Sequence, residues 1–253
     1  MKNITLRLQV YLARCGIGSR RACEAIIEQG RITVNGRQVT RPGTKVGSED
    51  IVELDGRAAV PERENIYIAL NKPPGFLCAN LPDGNKPLAL DLIHVPDRIR
   101  LFHVGRLDFL SSGLILYTND GDFSYRISHP SFGVEKQYTV EIRGTRDMSV
   151  LDGYVSGLTI SGLLYKAKRI ESLGSRRVLI SLVEGKNREI RRVFQYLHLP
   201  IRNIRRTKIG VVGIEGIAPG RYRHLTKKEL SWFRKLSRNN DSRSIPIQPN
   251  RDK

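Results

Sequence analysis

Apolar positions in the first part of the chain recur with helical spacing and then in alternation. The spacing over residues 6–12 predicts a short amphipathic helix, and Ser19 is a typical cap for a second helix over residues 20–29. The run RITVNGRQV predicts a hairpin with an Asn-Gly turn, and residues 51–54 predict a further strand. The amino-terminal pattern therefore predicts a module of two helices and a small sheet.

Beyond a polar stretch, the pattern changes to many strands with fewer helices between them. This order favours an α+β domain, with a mixed, mostly antiparallel sheet flanked by helices, rather than a doubly wound parallel sheet. The expected strands lie at residues 66–70, 101–104, 114–118, 137–142, 165–170, 178–183 and 201–209. The expected helices lie near residues 120–128, 148–156, 187–197 and 227–236.

Polarity and proline mark the expected domain boundaries. Residues 1–58 form the small module, and the polar, proline-containing stretch that follows predicts a linker at residues 59–65. The larger domain then covers residues 66–237. The last stretch, residues 238–253, is polar and without period, which predicts a disordered basic tail.

The charge balance narrows the class of partner. The 253 residues carry 43 Lys plus Arg against 25 Asp plus Glu, a net charge of +18. That is far more than solubility needs and has the sign that attracts phosphate, so nucleic acid is the leading partner. A membrane is not expected, because no segment approaches the roughly 20 apolar residues that span a bilayer. No protein partner is implied, and we expect a monomer.

Cysteine and motif content exclude several kinds of site. The three cysteines form no CxxC pair and the five histidines show no metal spacing, so neither a zinc site nor a disulfide framework is predicted. We expect a reducing compartment, the cytoplasm. The chain also lacks GxGxxG, P-loop and HExxH motifs, which removes support for dinucleotide, nucleoside-triphosphate and zinc-hydrolase chemistry.

One acidic residue stands in an unusual setting. The run GRLDFLSSGLILYTNDGD places Asp108 among an arginine, glycines and small hydroxyls, just before a strand-like apolar run. Glycine permits close backbone approach, and the Ser-Ser-Gly segment predicts a tight loop that presents the carboxylate at a rim. A lone Asp before a strand is usually a turn or cap residue. Spacing by itself leaves both interpretations open.

Arginines are concentrated in the amino-terminal module. The run LxxYLARCGIGSRRACEAIIEQGRITVNG resembles the ribosomal protein S-four-type RNA-binding module, in which such arginines contact phosphates of folded RNA. The alternative is a solvated basic face on a small helical domain. The resemblance implies RNA contacts for Arg7, Arg14, Arg20, Arg21, Arg31, Arg37 and Arg41.

Four stretches of the larger domain carry a second resemblance. They are ALNKPPGF, HVGRLDFLSSGLILYTNDGD, EKQYTV and LVEGKNREIRRVF with its sequel IRRTKIG. In that order they resemble the motifs of the pseudouridine synthases of the RsuA and RluB type. The family converts particular uridines in ribosomal RNA to the carbon-linked isomer, without cofactor or metal. The resemblance therefore implies ribosomal RNA as the substrate.

The resemblance also assigns roles to individual side chains. Asp108 is the expected catalytic carboxylate, and Arg191 is the cation that favours its charged form. Tyr138 is expected to stack on the uracil, with Ile204 in the apolar floor beneath it. The reaction breaks the bond from sugar to base nitrogen, turns the base and rejoins it through a ring carbon. Attack on the sugar, proton removal and addition to the ring all stay open as the role of the carboxylate.

Further cations are expected around the cleft. Arg106, two residues before Asp108, is the candidate that fills or braces the gap left by an extruded uridine. Lys72, in the first motif, is expected to support the site structurally. With Glu189 as the lone acid of the span, a basic surface is predicted from Lys186, Arg188, Arg192, Arg202, Arg205, Arg206 and Lys208.

Three positions depart from the family's usual pattern. Leu110 stands where an acidic residue is common, and Ser111 stands where Thr is common, so the loop that holds Asp108 has lost a polar partner. Glu189 replaces a frequent Gln, which favours the RluB-like branch that acts on large-subunit RNA.

The departures at positions 110 and 111 keep a second function open, a non-catalytic RNA-binding ribosome assembly factor on the same fold. A third alternative is a glycoside hydrolase. It requires two flanking carboxylates and an acidic cleft, whereas the cleft expected here is cationic.

Overall fold

The computed structural model describes residues 5–62, 64–96 and 99–237. Contacts divide the chain into two compact units. The first unit runs to Ile66 and includes His94–Phe102 and Thr118–Gly121. The second unit holds Tyr67–Ile93, His103–Tyr117 and the chain from Asp122 onward. The tail expected at residues 238–253 lies outside the described residues.

The first unit combines two helices with short strands. Its elements are β1 (Leu6–Arg7), α1 (Leu8–Arg14), α2 (Arg20–Glu28), β2 (Ile32–Val34), β3 (Arg37–Val39), β4 (Lys45–Val46), β5 (Val52–Leu54) and β6 (Arg57–Ala58). Four strands form an antiparallel sheet in the order β3-β2-β5-β6, and β1 pairs with β4. The expected module of two helices and a small sheet is confirmed.

Apolar spacing explains how the two helices pack. Leu8 and Leu12 of α1 are fully buried in one cluster with Cys23 and Ile27 of α2. The Ser19 hydroxyl accepts a hydrogen bond of 3.1 Å from a backbone N–H in the first turn of α2, which starts the helix at the predicted place.

The second unit is built on a nine-stranded sheet. The strand order is β13-β14-β10-β15-β9-β7-β17, with β8 beside β9 and β16 beside β15. The pairs β10–β14, β10–β15, β13–β14, β15–β16 and β7–β17 are antiparallel, whereas β9 and β15 are parallel. The expected mixed, mostly antiparallel sheet is confirmed.

The strands of this unit are β7 (Tyr67–Lys72), β8 (Phe102–Val104), β9 (Ser112–Thr118), β10 (Lys136–Ile142), β11 (Leu158–Ile160), β12 (Leu163–Tyr165), β13 (Arg169–Ser172), β14 (Arg177–Leu182), β15 (Ile201–Ile209), β16 (Val212–Gly213) and β17 (Tyr222–His224). Its helices are α3 (Gly121–Ser128), α4 (Asp152–Ser156), α5 (Glu189–Tyr196) and α6 (Lys227–Arg234). Strands β11 and β12 form a separate hairpin.

Burial in the core of the second unit explains the long apolar runs in the sequence. Strand β9 is buried from Gly113 to Thr118, and its Leu114 and Leu116 lie in one cluster with Phe123 of α3 and Phe233 of α6. The two phenylalanine rings meet edge to face with 5.2 Å between their centres. Helices α3 and α6 are thus held against the sheet by aromatic packing.

Several predicted bounds are wrong where local pairing overrides the apolar pattern. Leu6–Arg7 belongs to β1 and not to the first helix, because it pairs with Lys45–Val46. The strand expected at residues 165–170 is divided between β12 and β13, because the Ala167 N–H turns away to donate to the Tyr154 carbonyl at 2.9 Å. The apolar pattern also missed β4, β6, β11, β16 and β17, each too short to carry a period.

A close approach of two backbones joins β9 to β15. Gly113 lies opposite Arg206 in the parallel pair and has a φ of +107°. A Cβ at this position would lie 2.2 Å from the Arg206 carbonyl oxygen. Only glycine fits there.

Replacing Gly113 with Ala is expected to lower the free energy of unfolding by about 3 kcal/mol or more, because the methyl group meets backbone atoms that cannot move aside. Urea denaturation measures the loss. Gly174→Ala is the matched control, since its φ is +117° but no atom in the described chain lies within 4 Å of the added Cβ. The control should lose about 1–2 kcal/mol from backbone strain alone. Equal losses in the two variants would contradict the close-approach explanation.

Candidate active site

The loop between β8 and β9 carries Asp108. Two of its backbone carbonyls accept three hydrogen bonds. The Asp108 carbonyl accepts from the Ser111 N–H at 3.0 Å, which closes a turn. The Phe109 carbonyl accepts from the Gly75 N–H at 2.8 Å and from Lys72 Nζ at 3.3 Å. The loop is therefore fixed although it lacks an acidic residue at position 110.

Lys72 supports this loop from below. Its side chain is fully buried, and Nζ also donates to the carbonyls of Pro73 at 2.9 Å and Phe76 at 3.0 Å. Burial lowers the pKa of Lys72 to about 8. The ammonium thus joins the turn after β7 to the loop that carries Asp108, which is the kind of contact expected for a structural support.

Helix α5 brings a guanidinium to the same loop. Arg191 Nε donates to Asp108 Oδ2 at 2.9 Å, and Arg191 Nη2 donates to Ser111 Oγ at 3.0 Å. The Arg191 side chain is 21% exposed and the Asp108 side chain is 32% exposed. The Arg191 guanidinium therefore binds both the Asp108 carboxylate and the Ser111 hydroxyl at the end of the same turn. Solvent still reaches this site.

The start of α5 is held by a buried acid. Glu189 is 5% exposed, and its carboxylate accepts from Tyr154 Oη at 2.9 Å and from the Lys186 N–H at 2.8 Å. Burial raises the pKa of Glu189, and these two hydrogen bonds oppose the rise. The preceding residue, Arg188, adopts a left-handed backbone with φ 52°. Glu189 is thus an anchor of the loop and not a member of the exposed basic surface.

Tyr138 and Ile204 lie on the adjacent strands β10 and β15, where the register pairs Val140 with Ile204. Both side chains are buried at the edge of an open cleft, whose space of about 500 Å³ includes part of the solvent at its mouth. The cleft is lined by Arg106, Leu107, Asp108, Ser111, Tyr138, Leu182, Gly185, Lys186, Arg188, Glu189, Ile190, Arg191 and Ile204. The structure thus brings together the carboxylate, its cation, one aromatic face and one aliphatic wall.

The predicted cations divide into three groups. Arg106, Lys186 and Arg188 line the cleft. The exposed residues Arg192 and Arg205 do not line it, and Arg192 Nη1 donates instead to Tyr165 Oη at 3.1 Å. Two further exposed members of the predicted surface are Arg202, which pairs with Glu141, and Lys208.

The prediction that Arg206 belongs to the basic surface is wrong. Arg206 is 2% exposed, because its side chain packs against residues of the neighbouring strands β9 and β10. Nε donates to the Leu114 carbonyl at 2.6 Å, and Nη1 lies 3.4 Å from both the Arg106 carbonyl and Tyr138 Oη. Its guanidinium carbon also lies 5.9 Å from the centre of the Tyr138 ring. Arg206 therefore holds Tyr138 in place and does not reach solvent.

Sequence reasoning missed the supporting residues of the site. Glu189 was interpreted as one acid within a basic run, and Tyr154 of α4 was given no role. Glu189 lies next to Ile190 and one turn before Val193, on the buried face of α5. This helical spacing of apolar residues is the signal that the run of arginines obscured. Leu182 at the end of β14 also lines the cleft; it is the first residue of the stretch LVEGKNREIRRVF, but the motif assigned it no role.

The seven arginines that the resemblance predicts to contact RNA all have exposed side chains: Arg7, Arg14, Arg20, Arg21, Arg31, Arg37 and Arg41. Arg31 Nε donates to Asp55 Oδ1 at 3.1 Å, within a surface ion pair. The hydrogen bond from Arg31 lowers the pKa of Asp55. Arg31 is thus already partly neutralised.

The described part of the chain contains neither a candidate metal site nor a candidate membrane span. No group of three or more His, Cys, Asp or Glu side chains lies close enough together to hold a metal ion. Among the helices of residues 5–237 outside the two gaps, none is long and apolar enough to cross a bilayer.

Comparison with known proteins identifies the family. A family model described as RNA pseudouridylate synthase matches residues 66–196, and the S4 domain model matches residues 6–52. Ribosomal large subunit pseudouridine synthase B of Bacillus subtilis (strain 168) is 32% identical over 238 residues, which cover 91% of this chain and 96% of that protein. Dual-specificity RNA pseudouridine synthase RluF of Shigella flexneri is 34% identical over 244 residues, which cover 96% of this chain and 83% of that protein.

A solved structure agrees with the sequence comparison. The protein titled "Crystal structure of pseudouridylate synthase" is 28% identical, has a TM-score of 0.66 and covers 90% of this chain and 99% of its own. The resemblance inferred from the motifs is therefore confirmed. This chain belongs to the RNA pseudouridine synthase family, of the RsuA and RluB type, and begins with an S4 domain.

Proposed function

We propose that this protein converts a specific uridine of ribosomal RNA to pseudouridine, with Asp108 as the catalytic carboxylate and without a cofactor. The observation that carries the proposal is the contact of 2.9 Å between Arg191 Nε and Asp108 Oδ2 at the mouth of a cleft lined by Tyr138 and Ile204. The name of the Bacillus subtilis relative, together with Glu189 in the stretch LVEGKNREIRRVF, favours large-subunit RNA.

The chemistry needs few protein groups. Substrate and product contain the same atoms, since the proton lost from the ring carbon is balanced by the proton gained at the released nitrogen. A cofactor or an outside reagent is therefore not required by the reaction. Asp108 supplies the carboxylate that attacks or removes a proton, and Arg191 orients it through the hydrogen bond to Oδ2. Tyr138 and Ile204 bound the base on a flat face and an aliphatic wall, which lets it turn.

The proposal includes the predicted domain organisation. Residues 1–58 bind RNA, residues 59–65 are the linker, and residues 66–237 form the catalytic domain. The protein acts as a monomer in the cytoplasm. Arg106, Lys186 and Arg188 hold the phosphates next to the extruded uridine, and Arg192 and Arg205 extend the attraction beyond the cleft. Arg206 contributes through Tyr138 and not through RNA, as its burial requires.

Two alternatives have less support. A non-catalytic binding factor was kept open by the changes at positions 110 and 111, but the Ser111 hydroxyl still bonds to Arg191 and the turn is closed. A glycoside hydrolase needs a second available carboxylate, and the other acid that lines the cleft, Glu189, is occupied by Tyr154 and the Lys186 N–H.

Asp108→Asn is expected to reduce uridine conversion by about a thousandfold or more, because the amide is neither a nucleophile nor a base. Protein-free ribosomal RNA is incubated with each variant, and pseudouridine is mapped by carbodiimide treatment and primer extension. Asp152→Asn is the matched control, an exposed Asp at the start of α4. Equal conversion by wild type and the Asp108 variant would remove this residue from the mechanism.

Arg191→Lys is expected to slow the single-turnover rate by roughly 10–100-fold, because an ammonium keeps the charge but not the planar grip on Asp108 and Ser111. Arg192→Lys serves as its neighbour control on the same helix, since that residue bonds to Tyr165 instead. Stopped reactions at saturating enzyme separate this rate from RNA affinity. A loss in affinity with an unchanged rate would argue that Arg191 contacts RNA and does not orient the carboxylate.

The double variant Arg20→Ala, Arg21→Ala is expected to weaken RNA binding and to flatten its salt dependence by about one to two in the slope of log K against log salt, because two phosphate contacts are lost. Filter binding over a salt series measures both quantities. Arg31→Ala should change the slope less, since Asp55 already neutralises that guanidinium. Slopes that match wild type in the double variant would exclude this helix start from the RNA contact.

A further inference from the structure

Leu110 occupies a position that folding alone does not explain. Its side chain is 65% exposed, two residues after Asp108 on the loop that opens into the cleft. An exposed leucine is common on protein surfaces. This one differs in its location, because no other large exposed apolar side chain among the described residues belongs to the loop that carries Asp108.

The backbone under Leu110 is held on both sides. The turn is closed by the Asp108 carbonyl and the Ser111 N–H at 3.0 Å, and the Phe109 carbonyl is bonded to Gly75 and Lys72. On the other side, Ser111 is 3% exposed and its hydroxyl accepts from Arg191. Leu110 is therefore an apolar tip on a rigid support.

Leu110 itself does not line the cleft, but Asp108 and Ser111 of the same turn do, and the cations of that cleft attract phosphate. Arg106 and Arg188 are exposed and line the cleft with Lys186. The bases of structured RNA that binds these cations are stacked. A uridine must leave its stack before it reaches Asp108. The unstacked neighbours then expose apolar ring faces. Proteins that open base steps commonly fill the gap with Leu, Ile, Met or Phe side chains.

We infer that Leu110 is a wedge, whose side chain packs against the base next to the extruded uridine. This inference rests on the proposed function and adds a residue that selects uridines within structured RNA. Arg106 supplies charge beside the opened backbone, and Leu110 supplies the apolar contact. The polar residue common at this position in the family would not fill the gap in the same way.

A wedge makes a distinct kinetic prediction. The wedge stabilises the RNA state in which the uridine has left its stack and its base pair. Truncating Leu110 should therefore lower the conversion rate more for a paired uridine than for an unpaired one. A leucine that merely stabilised the loop would affect both RNAs equally. The expected difference is about tenfold or more, the effect of losing the burial of most of a leucine side chain.

Wild-type protein is first used to map the converted uridine in protein-free ribosomal RNA. Two short RNAs are then made around that uridine, one folded into its native hairpin and one with the complementary strand changed so that the uridine is unpaired. Single-turnover rates on both are measured for wild type, Leu110→Ala and Leu110→Met. Leu173→Ala, at a residue 50% exposed in the turn between β13 and β14, is the control.

The wedge requires that the rate loss of Leu110→Ala on the hairpin exceed its loss on the unpaired RNA by about tenfold, with Leu110→Met near wild type and Leu173→Ala unchanged. Fluorescence of 2-aminopurine placed next to the uridine should also rise less with Leu110→Ala. Equal losses on the two RNAs, or no loss on either, would overturn the wedge while leaving the proposed function intact. Absence of conversion by wild type would overturn the proposed function, and the wedge with it.

Discussion

The ion pair of Asp108 and Arg191 is the contact on which the proposed active site depends. It joins residues 83 positions apart, one on a loop between two strands and the other on a helix. The same guanidinium also bonds to the Ser111 hydroxyl, so a single side chain fixes both the carboxylate and the turn beneath it. The loop contacts fix the backbone of Asp108, and α5 fixes its carboxylate.

Two buried cations near this ion pair, Lys72 and Arg206, donate hydrogen bonds to backbone carbonyls. Lys72 bonds to three carbonyls and Arg206 to two, and in the described residues neither hydrogen-bonds to a carboxylate. Burying a cation is costly, and carbonyl dipoles offset the cost without cancelling the charge. The lowered pKa of Lys72 records that cost. The arrangement leaves positive potential beneath a cleft that has to receive an anionic polymer.

Sequence reasoning succeeded where a physical period or a motif order carried the information. The buried strand β9 and the capped helix α2 were found because their apolar positions repeat over enough residues. The partnership of Asp108 with Arg191 followed from motif order and was not visible in spacing. Arg206 was misplaced because β15 carries arginines on both faces, at positions 202, 205 and 206, and alternation alone does not say which face is covered. Strands of two or three residues form only because tertiary contacts align them, so no local pattern announces them.

The two carboxylates of the cleft illustrate how environment divides their roles. Glu189 is buried, and its oxygens are used by Tyr154 and the Lys186 N–H, so it is unavailable to a substrate. Asp108 is partly exposed and engages Arg191 through Oδ2. An amide oxygen would also accept the Lys186 N–H, and so a Gln at position 189 preserves the start of α5. Either Glu or Gln in the stretch LVEGKNREIRRVF can therefore anchor the start of α5, and the carboxylate that we propose to react is that of Asp108 in both cases.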